Sequence, residues 1–185
     1  MTDSTLHVLA ISGSLRRGSY NTALLRAAAD VAPESMKIDI YPIGDLPLFD
    51  ADLEAAGNPE PVIQFRTAVA EADALLLATP EYNFSTTGAL KNAIDWASRG
   101  GAEAPLTRKP TAILGAGGRF GTLRAQLHLS EILAHNQVRL VGTPQVQVST
   151  PSDKFDSGGR LEHERTIDQI GRLLVALEEL VRSPL

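Results

Sequence analysis

Short apolar runs alternate along this chain with longer stretches whose apolar residues recur at helical spacing, and this alternation restricts the possible folds more than any other feature. The clearest run is Leu75-Leu76-Leu77, which no polar residue interrupts. An uninterrupted apolar strand is buried on both faces, as in a parallel sheet that helices cover on both sides. The alternation therefore predicts a right-handed, doubly wound α/β fold of three layers.

The pattern predicts five strands and five helices in a single domain that spans residues 1–185, a length that suits one core. The predicted strands are residues 6–11, 37–41, 74–78, 111–114, and 138–141 together with 145–148. The predicted helices are residues 22–31, 61–71, 88–98, 122–136 and 161–182. Two long connections rich in Pro, Gly and Asp, residues 42–60 and 149–160, are expected to be functional or mobile.

The composition excludes several classes of protein and site. The chain has no cysteine, which excludes disulfides, thiolate metal sites and a cysteine nucleophile. Its net charge of −5 gives no general attraction to nucleic acid or to an anionic membrane, so local groups must hold any anion. No apolar run approaches the roughly 20 residues that span a bilayer, and no secretory signal is visible. We therefore expect a cytoplasmic protein that neither inserts into membranes nor binds nucleic acid.

Residues 12–22 form a polar turn between the first predicted strand and the first predicted helix. Two glycines, two arginines, Asn21 and four hydroxyl side chains lie in it, the hydroxyls being those of Ser12, Ser14, Ser19 and Thr22. Because a helix N-terminus presents unpaired N–H groups, this segment predicts a site for a phosphate monoester. It does not match a Walker A loop, which needs lysine where Ser19 stands, and it lacks the second glycine of the dinucleotide fingerprint. A solvated turn with a helix cap remains the alternative.

Two further loops, residues 79–88 and 115–122, follow the third and fourth predicted strands. Ligands of open α/β sheets bind outside the carboxyl ends of the strands, so these loops are expected to meet the turn of residues 12–22. In the first loop, Asn83 suits the heteroatoms of a planar ring and Tyr82 or Phe84 suits its apolar face, with a helix cap as the alternative. In the second, four glycines let the backbone lie against a flat group. A phosphate end and a flat-ring end together fit flavin mononucleotide (FMN).

The remaining candidate groups predict no competing site. Arg119 either attracts an anionic ligand or only improves solubility, and the sequence leaves both open. The four histidines lack the spacing of metal ligands, so surface or hydrogen-bonded roles are predicted for His7, His128, His135 and His163. None of the serines of residues 12–22 lies in the Gly-x-Ser-x-Gly elbow of a serine hydrolase.

Three segments together resemble the NAD(P)H-dependent FMN reductase family, the flavodoxin-like group that includes quinone, chromate and azo-dye reductases. They are Gly13-Ser14-x-Arg16-x-x-Ser19-x-Asn21, Pro80-Glu81-Tyr82-Asn83-x-Ser85 and Leu90-Lys91-Asn92-Ala93-Ile94-Asp95-Trp96. The resemblance covers nearly the whole chain. It implies a flavodoxin-like three-layer sandwich whose five-stranded parallel sheet has the order 2-1-3-4-5, with FMN bound non-covalently.

The resemblance also implies the residues of the cofactor site. The phosphate would be held by Ser14, Arg16, Ser19, Asn21 and Thr22. The ribityl chain and ring would be bordered by Pro80, Glu81, Tyr82 and Asn83, with Ser85 supporting that loop. Where relatives often carry serine-type hydroxyls, this chain has Gly115, Ala116, Gly117 and Gly118, so contact there would come from backbone N–H groups alone.

The activity that the resemblance implies is an NAD(P)H-driven reduction of quinones, flavins or related small acceptors by ping-pong hydride transfer. The flavin carries this chemistry, so no catalytic side chain is expected. Relatives are dimers or tetramers, and the helices of residues 90–96 and 124–135 are the expected contacts. An electron carrier and a flavin-binding regulatory protein without turnover are the alternatives. The acceptor and the preference between NADPH and NADH stay open.

Overall fold

The computed structural model describes residues 5–183 and contains six strands and six α-helices in that range. The strands are β1 (Leu6–Ser12), β2 (Met36–Tyr41), β3 (Ala74–Ala78), β4 (Pro110–Gly117), β5 (Arg139–Leu140) and β6 (Val146–Ser149). The helices are α1 (Tyr20–Asp30), α2 (Ala51–Ala56), α3 (Glu60–Glu71), α4 (Gly88–Ala97), α5 (Leu123–His135) and α6 (Glu164–Arg182). No helix within the described residues is long and apolar enough to cross a membrane.

The strands form one parallel sheet of order β2-β1-β3-β4-β5, which confirms the predicted order. The predicted fifth strand is instead two short strands, and both pair with β4. Gly142 and Pro144 lie between them, and the interruption fits proline's lack of an N–H to donate to the sheet. The flavodoxin-like arrangement is otherwise as expected.

Apolar side chains are buried on both faces of the sheet, as the uninterrupted strands predicted. On β3, Leu76 faces the cluster that α1 and α6 cover, whereas Leu75 and Leu77 face the cluster that α3, α4 and α5 cover. All three leucines are at most 1% exposed. The successive side chains of a strand point to opposite faces, so a run without polar residues fits a sheet with helices on both sides.

The connection of residues 42–60 is more ordered than its composition predicts. It contains α2, whose N-cap Asp50 accepts hydrogen bonds from the backbone N–H groups of the first turn. On α4, the side-chain amide of Asn92 accepts from the Phe49 N–H at 2.7 Å and donates to the Pro47 carbonyl at 2.8 Å. The indole of Trp96 donates to the same carbonyl at 2.8 Å. These bonds fasten the connection to the buried face of α4.

Candidate functional site

The loops that follow β1, β3 and β4 meet at one edge of the sheet. Backbone hydrogen bonds join their starts, from the Gly13 N–H to the Ala78 carbonyl at 2.8 Å and from the Thr79 N–H to the Leu114 carbonyl at 3.0 Å. A cavity of about 260 Å³ lies between the loops. Its lining includes Ser14, Arg16, Ser19, Asn21, Pro80, Glu81, Tyr82, Gly117 and Gly118. The structure therefore brings together most of the residues that the sequence predicted.

The first loop presents unpaired backbone donors at the start of α1. Ser19 is the N-cap, and its hydroxyl accepts a hydrogen bond from the Thr22 N–H at 3.2 Å. Within residues 5–183, no acceptor contacts the backbone N–H groups of Arg17, Gly18, Tyr20 and Asn21. Unpaired N–H groups at the positive end of a helix are the donor set that binds a phosphate.

Arg16 lies beside these donors and keeps its charge available. Its guanidinium lies 5.9 Å from the centre of the Tyr20 ring, and one of its nitrogens is 3.4 Å from the position that a Cβ on Gly18 would take. No carboxylate within the described residues pairs with it. An unpaired guanidinium next to several free backbone N–H groups favours the binding of an anion at the start of α1.

The side chain of Asn21 is engaged within the protein. Its amide donates to the Ala116 carbonyl and accepts from the Ala116 N–H, both at 2.9 Å, and the residue is 3% exposed. These two bonds join α1 to β4. A direct contact of Asn21 with a phosphate is therefore left to its backbone N–H, and its predicted cofactor role stays a prediction in that form.

The second loop holds two aromatic side chains at the rim of the cavity through a strained turn. Tyr82 and Ser85 exchange two backbone hydrogen bonds of 3.0 Å, and the residues between them, Asn83 and Phe84, have φ values of 50° and 63°. Positive φ at both central positions is the geometry of a type I′ turn, which asparagine tolerates and phenylalanine rarely adopts. Tyr82 and Phe84 are 57% and 63% exposed, so the turn presents both rings to solvent beside the cavity.

Glu81 joins the second loop to α5. One of its carboxylate oxygens accepts hydrogen bonds from the backbone N–H groups of Arg124 and Ala125 at 3.0 and 3.2 Å. The guanidinium of Arg124 lies 3.7 Å from the other carboxylate oxygen and 4.2 Å from the centre of the Phe84 ring. The carboxylate predicted to border a ribityl chain thus caps a helix. Arg124, the second residue of α5, contacts this loop, and the sequence did not predict that contact.

The third loop begins later than predicted because β4 continues through Gly117. A Cβ on Gly115 would overlap the Thr122 side chain and the Thr79 carbonyl, and one on Gly117 would overlap the Gly121 carbonyl. At Gly118 nothing lies within 4 Å of that position. The lack of a side chain at Gly115 and Gly117 therefore serves the packing of the chain itself, and their predicted cofactor contacts stay predictions that rest on backbone N–H groups.

Pro151 and His128 contact the site from outside the three predicted loops. Pro151 lines the cavity, and the N–H of its neighbour Thr150 donates to the Gly118 carbonyl at 3.2 Å. The second long connection thus returns to the site, although no local pattern marks this. His128, predicted at the surface, is exposed, and its Nδ1 is hydrogen-bonded to the Ser85 hydroxyl at 3.1 Å.

Comparison with known proteins identifies close relatives of the whole chain. The family model described as NADPH-dependent FMN reductase matches residues 6–153. An NAD(P)H-dependent FMN reductase of Pseudomonas aeruginosa is 48% identical over 178 residues, which cover 96% of each chain. An NADPH:quinone oxidoreductase of Arabidopsis thaliana is 41% identical over 94% of this chain and 90% of its own. A quinone reductase of Escherichia coli is 36% identical over 96% of each chain.

A solved structure matches the fold over nearly its full length. FerB from Paracoccus denitrificans, a flavoenzyme NAD(P)H:acceptor oxidoreductase, superposes with a TM-score of 0.85. It is 30% identical, and the match covers 95% of this chain and 97% of that one. Sequence and structure comparisons therefore point to the same class of protein.

Proposed function

Because the chain belongs to the NADPH-dependent FMN reductase family, we propose that it binds FMN and uses NAD(P)H to reduce quinones, flavins or related small acceptors. One observation carries the proposal: the loops after β1, β3 and β4 meet around a single cavity. Free N–H groups lie in the first of these loops, and the exposed rings of Tyr82 and Phe84 lie in the second. A phosphate and a flat ring are the two ends of FMN that such a site would recognise.

We assign the phosphate to the first loop. The backbone N–H groups of Arg17, Gly18, Tyr20 and Asn21 and the guanidinium of Arg16 supply the positive donors there. The hydroxyl groups of Ser14 and Ser19 lie at the same cavity. Thr22 lines a neighbouring cavity and donates to Ser12 at 2.9 Å, so its predicted contact with the phosphate stays a prediction. A phosphate dianion needs several donors at once, and this set provides them without a metal ion.

We assign the ring and ribityl chain to the second and third loops. Pro80, Glu81, Tyr82 and Asn83 border the cavity or its rim on one side, and Gly117 and Gly118 border it on the other. Gly118 is exposed and open on its side-chain face, so its backbone can approach a flat group closely. Ser85 and His128 support the turn from outside.

Bound FMN would supply the hydride chemistry, and the residues of the chain would bind and orient the cofactor and attract the anionic co-substrate. Arg16 lines the cavity, Arg119 directly follows the lining residue Gly118, and Arg124 lies over the ring of Phe84. Nicotinamide dinucleotides are anions, so these guanidiniums favour their approach to an otherwise acidic protein. The rim beside Tyr82 and Phe84 is open, which suits a ping-pong order in which NAD(P)H leaves before the acceptor enters.

We further propose that the protein is a homodimer or homotetramer that works in the cytoplasm, where NAD(P)H is available. Exposed apolar residues continue from the rim along α5: Phe120, Leu123 and Leu127 are 64%, 42% and 53% exposed. An apolar surface of this kind beside a site supports an interface that a second copy would cover. On α4, by contrast, Leu90 and Trp96 are fully buried within the chain, so α5 is the better supported contact.

Purification with bound flavin and a steady-state assay test the function. The purified protein should carry FMN, and it should oxidise NADPH or NADH when a quinone is added. Arg16→Ala should weaken FMN binding by tenfold or more, whereas Arg165→Ala on the exposed surface of α6 should leave it unchanged. A protein that neither retains FMN nor oxidises either nicotinamide with FMN added would overturn the proposal.

A further inference from the structure

A second cavity, of about 510 Å³, lies on the other side of the first loop from the site described above. It is bounded by that loop, by α1 and by residues 40–44 at the end of β2. Because β2 and β3 flank β1 on opposite sides, the two cavities lie on opposite sides of the first loop. They share only Ser14 and Arg16 among their lining residues. We refer to the second cavity as the β2-side crevice.

The β2-side crevice is positively charged in an acidic protein. Arg16, Arg17 and Arg26 line it, and no acidic residue in the described part of the chain does. None of the three guanidiniums forms an ion pair with a carboxylate within residues 5–183. Guanidiniums that line one cavity without carboxylate partners attract an anion, and their planar donor fork matches a phosphate.

Much of the remaining lining of the crevice is apolar. Leu15 and Ile40 are 62% and 37% exposed, and Tyr41 and Ile43 lie beside them. Burial raises the pKa of Tyr41, so its phenol stays neutral and does not repel an anion. A crevice lined by both exposed apolar residues and arginines suits a ligand that joins a flat apolar body to a phosphate.

We propose that the β2-side crevice binds an adenosine phosphate, with its phosphate between Arg17 and Arg26 and its base against Leu15 and Ile40. The proposal rests on the proposed function in one respect. NADPH, the proposed co-substrate, carries a 2′-phosphate on its adenosine and is therefore one source of this ligand. A free adenine nucleotide presents the same chemistry. The phosphate of FMN is not the occupant, because Ser19, Tyr20 and Asn21, which belong to the unpaired helix N-terminus, line the other cavity.

Titration calorimetry of the FMN-loaded protein with 2′-AMP tests the site itself. We expect 2′-AMP to bind and adenosine to bind at least tenfold more weakly. The Arg17→Gln/Arg26→Gln double variant should lower the affinity for 2′-AMP by tenfold or more. Arg165→Gln/Arg172→Gln on α6 removes the same charge elsewhere and should have no effect. No binding of 2′-AMP to the wild type, or unchanged binding to the first double variant, would overturn the proposal.

Steady-state kinetics distinguish the two sources of the ligand. If the crevice holds the adenosine end of NADPH, the Arg26→Gln variant, which leaves the first loop intact, raises the KM for NADPH at least fivefold and leaves that for NADH unchanged. If both KM values stay unchanged while 2′-AMP binding is lost, the crevice serves a free nucleotide. A loss of FMN affinity in this variant would instead make the crevice part of the FMN site and overturn the proposal. If the wild type binds no FMN, the function proposed above fails, and calorimetry with 2′-AMP on the flavin-free protein still tests the crevice.

Discussion

At Gly115, β4 passes so close to Thr122 and to the carbonyl of Thr79 that even a methyl group would overlap them. Three glycines at this strand end differ sharply in the space beside their Cα atoms: neighbouring atoms of the chain fill it at Gly115 and Gly117, and it is open at Gly118. From the sequence alone these glycines look equivalent. Only the packing of the loop against β3 separates those that the fold requires from the one that a ligand can approach.

Gly115→Ala should lower the free energy of unfolding by about 1–3 kcal/mol or more, because the added methyl group forces the backbone of β4 away from β3. Urea unfolding of the flavin-free protein measures this. Gly118→Ala is the matched control and should change the stability by less than about 0.5 kcal/mol. Equal destabilisation by the two substitutions would contradict the packing argument.

Phe84 is the second residue whose conformation is informative, since its φ of 63° is unfavourable for a phenylalanine. Strain of about 1–3 kcal/mol at such positions persists where the surrounding structure enforces it, and it concentrates at functional sites. The ring gains little burial in return, because it is 63% exposed. We therefore interpret the position as one that presents a ring to the acceptor.

Comparison of Phe84→Gly with Phe84→Ala separates strain from the role of the ring. Both variants lose the ring and its contact with Arg124, but only glycine relieves the strain. Phe84→Gly should be more stable than Phe84→Ala by about 1 kcal/mol in urea unfolding. Both should raise the KM for an aromatic quinone to a similar extent. Identical stabilities would show that the turn carries no strain.

At the scale of elements, α5 is capped from outside its own sequence. Its N-cap residue, Thr122, makes no side-chain capping bond, and Glu81 from the loop after β3 supplies the carboxylate instead. A carboxylate at a helix N-terminus is stabilised by the helix dipole and by the free N–H groups. The cap therefore also fixes the distance between the second and third loops of the site.

Glu81→Ala should destabilise the protein by about 1–2 kcal/mol, because two N–H groups at the start of α5 lose their acceptor. Glu131→Ala, an exposed position on the same helix, should cost less than about 0.5 kcal/mol. Urea midpoints at a common m-value compare the two. If Glu81→Ala costs no more than Glu131→Ala, the cap does not stabilise α5.

The sequence was sufficient for the order of the elements and the meeting of the three loops, because uninterrupted apolar strands and parallel topology determine both. It was not sufficient for the break between β5 and β6 or for α2, which depend on local turns and on contacts with α4. Nor did it separate ligand contacts from internal ones. The sequence does not show whether the side chain of an asparagine such as Asn21 binds a phosphate or, as in the structure, the backbone of Ala116.

At the scale of the whole molecule, the site lies where three central strands end together, so ligand binding is coupled to the stability of the sheet. Hydrogen bonds already link the loops, from Gly13 to Ala78, from Thr79 to Leu114 and from Asn21 to Ala116. A ligand that contacts several of these loops binds only the folded chain. It must therefore stabilise that chain by mass action.

FMN at one hundred times its Kd should raise the free energy of unfolding by about 2.7 kcal/mol, which thermal unfolding at increasing FMN concentrations measures. Riboflavin has the same ring without the phosphate. It should give a markedly smaller rise in Tm at equal concentration, since it leaves the donors of the first loop unpaired. A riboflavin shift equal to that of FMN would contradict the assignment of the phosphate to that loop.

The bonds of Asn92 and Trp96 to Pro47 have a consequence for how such chains are recognised. These two residues belong to the third of the segments that mark the resemblance, yet both are buried and bond to another part of the same chain. That segment therefore stabilises the fold, and its presence in a sequence indicates the fold rather than the binding of a cofactor. A protein that kept this segment but had exchanged Arg16 and Ser19 would still show the resemblance, although two of the side chains proposed to hold the phosphate would be gone.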